Sequence, residues 1–211
     1  MASGAIDLYS SVGMPGWLEH LSQLLASAQI RRQPLGFYRV YLTTQNAMQE
    51  GIYLHAWLDQ NQFRQGAEPE VHSHIFDMNS TVLIGSLRNE IFTAKPALNG
   101  THYFVKVHYN DGSPLREVEN RMCRIELSHQ ENVSSGNEYT QKSGLFHRTI
   151  VTEYPLVTLM RKVKVNKEPF SMNIIRKDYK HAEVSKFNTD VRRPAQVKTK
   201  IIETLERFYG N

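Results

Sequence analysis

The chain has one cysteine, Cys123, so no disulfide framework can form within it. A lone thiol suits a reducing compartment. No apolar run approaches the length needed to span a bilayer. The first residues, Met1-Ala2-Ser3-Gly4-Ala5-Ile6-Asp7, lack both the charged leader and the apolar stretch of a signal peptide. A cytoplasmic protein with no membrane partner is therefore expected. On that reading the Asn-x-Ser/Thr triplets at Asn79, Asn99 and Asn132 are chance matches, because glycosylation needs a secretory route. The formal charge is a modest +4, and the basic residues form no block interleaved with aromatics, which argues against a nucleic-acid partner. Internal repeats and low-complexity segments are absent as well.

What is present is ordinary for a globular protein: 211 residues, 40% hydrophobic and 22% charged. That length can bury a sizeable core, and one domain over residues 1–211 is expected. Trp17, Leu18, Leu21, Leu24, Leu25 and Ala28 recur at helical spacing, predicting a helix over about 15–30 with Pro15 in its first turn. Arg31-Arg32-Gln33-Pro34-Leu35-Gly36 reads as the break after it. Short aromatic and β-branched runs then follow at Phe37–Thr43, Ile52–Leu58, Leu87–Thr93, His102–Tyr109, Met122–Ser128, Tyr139–Gln141, Leu145–Val151 and Leu156–Val163. Asn99-Gly100 and Asn110-Asp111-Gly112 are turn signals between them. Many short strands without alternating helices predict an all-β antiparallel sandwich or barrel, from about residue 37 to 176. Val197, Ile201, Leu205 and Phe208 mark a second helix over about 194–209, packed on the barrel exterior or on a second subunit.

The segment Glu70-Val71-His72-Ser73-His74-Ile75-Phe76-Asp77-Met78 carries the chemistry. In a strand alternate side chains share a face, so His72 and His74 stand side by side. Two neighbouring imidazoles begin a metal site; the competing reading is two half-buried histidines, each satisfied by a backbone group. A third histidine, His147, lies far along the chain in Gly136-Asn137-Glu138-Tyr139-Thr140-Gln141-Lys142-Ser143-Gly144-Leu145-Phe146-His147.

Together these blocks resemble the two motifs of the cupin superfamily, G-x5-H-x-H-x3,4-E-x6-G and G-x5-P-x-G-x2-H-x3-N. Gly66, His72, His74 and Gly85 fall on the first, and Gly136, Gly144 and His147 on the second. The chain departs from the pattern where Met78 (or Asn79) replaces the acidic ligand, Lys142 the proline and Val151 the asparagine. The resemblance covers about Phe37 to Arg161. It implies a double-stranded β-helix, or jelly-roll barrel, with the two helices outside it. It also implies a three-histidine metal site like that of the thiol dioxygenases among cupins, and pairing of two copies through edge strands. Fe(II) is the preferred metal on this reading, with Zn, Mn or Ni also compatible with three imidazoles.

Without a carboxylate ligand such a site is one unit more positive, which favours a small anionic substrate. Arg39, Arg88 and Arg124 are candidates to clamp a substrate carboxylate, because a guanidinium fork matches its two oxygens. Tyr53 and Tyr139 are candidates to supply a phenol beside the metal. Asp77 is a candidate substitute ligand, but it lies an odd number of residues from His74 and faces away in a regular strand unless a bulge turns it. Pairing with an arginine such as Arg88 or Arg148 is the competing role. His55 and His102 read as barrel-wall histidines, and Cys123 as a plain buried thiol. Two functional classes follow: a metal-dependent oxidoreductase of dioxygenase type, or a non-redox cupin that isomerises, cleaves or only binds a small molecule.

Overall fold

The computed structural model describes residues 8–33, 35–44, 49–60, 71–110, 113–165, 170–179 and 190–210, with backbone alone at 109, 110 and 113–116. Gly66 of the first motif, the Asp111-Gly112 turn and His181 lie outside the described residues. Ten strands pair throughout in the antiparallel sense: β1 (Gln29–Gln33), β2 (Phe37–Tyr41), β3 (Gly51–Trp57), β4 (Val71–His72), β5 (Phe76–Pro96), β6 (His102–Asn110), β7 (Ser113–Ser134), β8 (Glu138–Gln141), β9 (Phe146–Val165) and β10 (Phe170–Arg176). Their order is β1-β2-β3-β9-β4-β10-β6-β7-β5-β8. Because β9 also pairs with β5, the sheet closes on itself and becomes the all-β jelly-roll barrel expected from the sequence.

Period-two alternation sorts the side chains of β2, β3 and β9 into two layers. Tyr38, Val40, Ile52, Leu54, Ala56, Val157 and Leu159 face outward and join a core closed by helices α1 (Trp17–Ser27) and α2 (Pro194–Tyr209). Phe37, Tyr53, Trp57, Leu156 and Met160 face the barrel interior with Met78, Val82 and Tyr139. The helix stripes appear as Leu21 and Leu25 on α1 and Ile201 and Leu205 on α2, each buried. Full burial of one such side chain contributes about 1.5–3 kcal/mol. Trp17 meets Tyr209 edge-to-face, with ring centroids 4.9 Å apart, and the Tyr209 hydroxyl donates to Leu83 O at 2.8 Å. The sequence placed Phe208 in this stripe, but Phe208 is half exposed and Tyr209 packs in its stead. Pro194 occupies the first turn of α2, whereas Pro15 precedes α1, whose cap is Gly16 in the left-handed conformation. Part of the segment read as a break is in fact strand β1, paired in register with β2 from Gln29↔Tyr41 to Gln33↔Phe37.

The motif glycines shape the turns. Gly85 has φ +79, and a Cβ there would collide with the carbonyl oxygens of Pro155 and Glu153, so β5 and β9 approach closely only because it is bare. Gly144, at φ +77, donates its N–H to His74 O at 2.9 Å. That bond ties the turn before His147 to the strand carrying the histidine pair. Among the described residues, no helix is long and apolar enough to cross a membrane.

Candidate metal centre

His72 and His147 are direct cross-strand partners on β4 and β9, and His74 follows just beyond β4. One nitrogen from each of the three imidazoles lies within 4.8 Å of the other two. Ring centroids are 4.9 Å apart for His72–His74, 4.6 Å for His72–His147 and 5.0 Å for His74–His147. His74 Nε2 and His147 Nε2 are separated by 3.0 Å. Two ligands about 2.1 Å from a common ion and at right angles to each other are about 3.0 Å apart, so the spacing fits one metal.

The protonation states fit as well. Burial, then the charges of His72, His147, Arg39 and His55, hold the His74 imidazolium well below the ordinary histidine range. Burial, then His72, does the same to His147. Neutral imidazole is the metal-binding form. His147 Nδ1 lies 3.2 Å from Asn89 Oδ1, and the Asn89 amide in turn donates to Glu131 Oε1 at 3.1 Å. With its amide nitrogen committed to Glu131, Asn89 presents its oxygen to His147. Nδ1 must then carry the proton, which leaves the Nε2 lone pair free for an ion.

Asp77 is not among the converging groups. Its carboxylate accepts from the Ser143 N–H at 2.9 Å and from Lys142 Nζ at 3.1 Å, fastening the turn before His147. These bonds, the backbone one foremost, lower its pKa. Its expected arginine partners are occupied elsewhere: Glu90 binds Arg88 at 2.9 Å and Arg148 at 2.6 Å. Met78, at the aligned acidic position, is buried in the interior apolar cluster.

Of the three candidate clamps, the structure brings Arg39 to the site. It lies on the interior face of β2 with Phe37 and Tyr41, and its charge acts on His74 and Tyr53. Its Nε donates to His55 Nε2 at 3.2 Å, and its guanidinium carbon sits 5.7 Å from the Phe37 ring centre. Among the described residues the terminal amino groups of Arg39 have no hydrogen-bond partner, so the fork is oriented and free to bind. Arg88 is placed elsewhere, since alternation turns it to the strand face opposite Asn89, where it pairs with Glu90. Arg124 is exposed on β7.

Tyr53 and Tyr139 both line the interior. Burial pushes the Tyr53 phenol up to about 12 and raises that of Tyr139, so both stay protonated as hydrogen-bond donors at neutral pH. His55 is the wall histidine expected, there to hold Arg39. Cys123 is a buried thiol, raised by burial to about 11 and packed with Phe104 and Ile174.

Sequence reasoning missed two residues. Asn89 gave no signal, because a single asparagine in a strand has no motif. Lys162 was passed over within an apolar run, yet it is only 2% exposed. Its ammonium lies 5.3 Å from the Tyr53 ring centre and 5.4 Å from that of Phe76, which stacks on His74 at 4.7 Å. Each ring contributes about 0.5–2 kcal/mol toward the several kcal/mol that burying an ammonium costs.

No protein-family model matches the chain, and no curated protein does. Solved structures similar to it include KdgF from Halomonas sp., at 12% identity over 64% of this chain and 88% of that one, TM-score 0.34. An RmlC-like cupin from Shewanella frigidimarina shares 15% over 73% and 90%, TM-score 0.34. Oxalate oxidase in complex with the substrate analogue glycolate shares 13% over 84% and 74%, TM-score 0.37. The architecture rests on the chain's own strand pairing. That pairing and the three-histidine cluster are what the cupin resemblance implies: an antiparallel jelly-roll barrel with a site able to hold a divalent metal.

Proposed function

We propose that this protein is a mononuclear metal-dependent enzyme of cupin type, a non-haem iron oxidoreductase of dioxygenase kind acting on a small anionic molecule. The observation that carries the reading is the convergence of His72, His74 and His147 without a carboxylate among them. Three neutral ligands leave the charge of a divalent ion uncompensated and leave about three positions open on an octahedral centre. When bound, the ion supplies Lewis acidity and, if it is iron, a redox couple. The chain's own residues do the rest. Asn89 fixes the His147 tautomer, Arg39 receives the anionic end of the substrate, and Tyr53 and Tyr139 offer phenolic protons inside the barrel.

Elemental analysis of anaerobically purified protein, followed by an oxygen-uptake screen with thiols and small acids, tests the reading. About one iron per chain and substrate-dependent oxygen consumption are expected. Stoichiometric zinc without oxygen uptake would favour the non-redox alternative, an isomerase or lyase using the ion to polarise its substrate.

A further inference from the structure

A hydrogen bond has a direction, and the one that orients His147 takes its direction from a residue outside the histidine cluster. Strand register lines up Glu131, Asn89 and Thr149 across β7, β5 and β9, and His147 lies two residues before Thr149 on the same face. Glu131 Oε1 accepts from Asn89 Nδ2 at 3.1 Å, and Asn89 Oδ1 lies 3.2 Å from His147 Nδ1. Of these three groups only the carboxylate has a fixed sense, because it can only accept. The Asn89 amide can turn over, and a neutral imidazole can carry its proton on either nitrogen. Asn89 is 0% exposed, so water does not compete for its amide. Burial first, and the Glu131 charge besides, raise the Tyr139 phenol, which places the carboxylate beside the barrel interior. Because β7 pairs with β6 only as far as Cys123, Glu131 stands half-buried on an edge of the sheet among the described residues.

We propose that Glu131 is a positioning residue for the metal centre: through Asn89 it selects the His147 tautomer whose Nε2 lone pair faces His72 and His74. This rests on the metal reading under Proposed function and extends it to a residue that is not among the converging groups. With the carboxylate in place, Asn89 gives its N–H to Glu131 and turns its oxygen to His147, so Nδ1 holds the proton. A donor in place of Glu131 would reverse the sequence. The Asn89 oxygen would turn to that donor, its N–H would face Nδ1, and the imidazole proton would move to Nε2. There it would point at His74 Nε2, 3.0 Å away, and occupy the lone pair that an ion needs. The sense of one carboxylate at the sheet edge thus decides whether three converging imidazoles can act as ligands together.

The test is made on the full chain with two readouts: the NMR shifts of the His147 ring nitrogens in metal-free protein, and zinc affinity by competition with a chromophoric chelator. In the unsubstituted chain the proton should sit on Nδ1. Glu131→Lys supplies a donor, and it should move the proton to Nε2 and weaken zinc at least about tenfold. Glu131→Gln can still accept, so it should keep the proton on Nδ1 and hold zinc within about threefold of the unsubstituted chain. When Glu131→Lys is combined with Asn89→Asp, the aspartate accepts from both neighbours, and the proton should return to Nδ1. A proton that stays on Nδ1 in Glu131→Lys would overturn the proposal, whatever the added charge does to zinc. Zinc loss in Glu131→Gln as large as in Glu131→Lys would overturn it too. A tautomer that follows Glu131 as expected, in a chain that binds neither zinc nor ferrous iron, would sink the metal reading and leave the control of the tautomer standing.

Discussion

Asn89 Oδ1 lies 3.2 Å from His147 Nδ1, joining a fully buried amide to a buried imidazole from the neighbouring strand. The bond selects which imidazole nitrogen faces the other two histidines. Asn89→Ala removes that selection and opens a small cavity. Metal affinity, measured by competition with a chromophoric chelator, should fall about 10- to 100-fold. Asn89→Asp, which keeps an acceptor at the same place, should recover part of it. A metal affinity unchanged in Asn89→Ala would mean that His147 is oriented by its strand alone.

The histidines and Asp77 should separate cleanly. Alanine at His72, His74 or His147 should each abolish stoichiometric metal, whereas Asp77→Asn should retain it, because Asp77 binds the 142–143 turn. Elemental analysis of the four purified variants decides the point. Metal loss in Asp77→Asn as complete as in the histidine variants would return the carboxylate to the ligand set.

Asp77 should instead show itself in acid. Its folded pKa lies below its unfolded value, so its contribution to stability is complete above the ordinary carboxyl value near 4 and is lost as pH falls through the lower, folded value. Asp77→Asn should therefore destabilise the protein at neutral pH by about 1.5–3 kcal/mol, the range for a hydrogen bond to a charged group. In denaturant titrations the gap should narrow only below about pH 4.

Lys162 has the opposite effect at neutral pH. Its folded pKa, about 8, is below the unfolded value, so stability is complete above the unfolded value near 10.4 and falls as pH drops through the folded one. Lys162→Met should then stabilise the protein at pH 7 by an amount on the order of 3 kcal/mol, a gap that closes above about pH 10.4. Thermal melts across that range measure it. A Lys162→Met chain that melts lower than the unsubstituted one at pH 7 would show that the contacts of the ammonium outweigh the cost of burying it.

Gly85→Ala should be severe for reasons remote from chemistry. It requires a left-handed φ and drives a methyl into the Pro155 carbonyl, and both effects act on the β5–β9 crossing. A loss of several kcal/mol is expected, beyond the roughly 1 kcal/mol of φ strain alone, read from urea midpoints.

Much of this was legible in the residue pattern. Short β-type runs gave an antiparallel sandwich or barrel, the 3.6-residue stripes gave both helices, period-two alternation paired His72 with His74, and the resemblance to the second cupin motif added His147 to them. Strand lengths were less visible: the runs Leu145–Val151 and Leu156–Val163 fall on one strand, β9. Arg88 and Arg124 show what sequence could not decide, since which face a side chain takes depends on a register that bulges reset. Lys162 and Asn89 were invisible because their roles come from what lies across the strand from them.

The register shifts along β9 have one more consequence. An odd number of residues separates His147 from Lys162, so unbroken alternation would turn them to opposite faces; the irregularities opposite Val82, Ile84 and Ser86 allow both to serve one interior. Gain or loss of one codon between them would therefore uncouple the two ends of the strand, whereas a two-codon change would preserve their common orientation. The stretch 148–156 thus behaves as a phase adjuster, and its length in any descendant of this chain should vary in even steps.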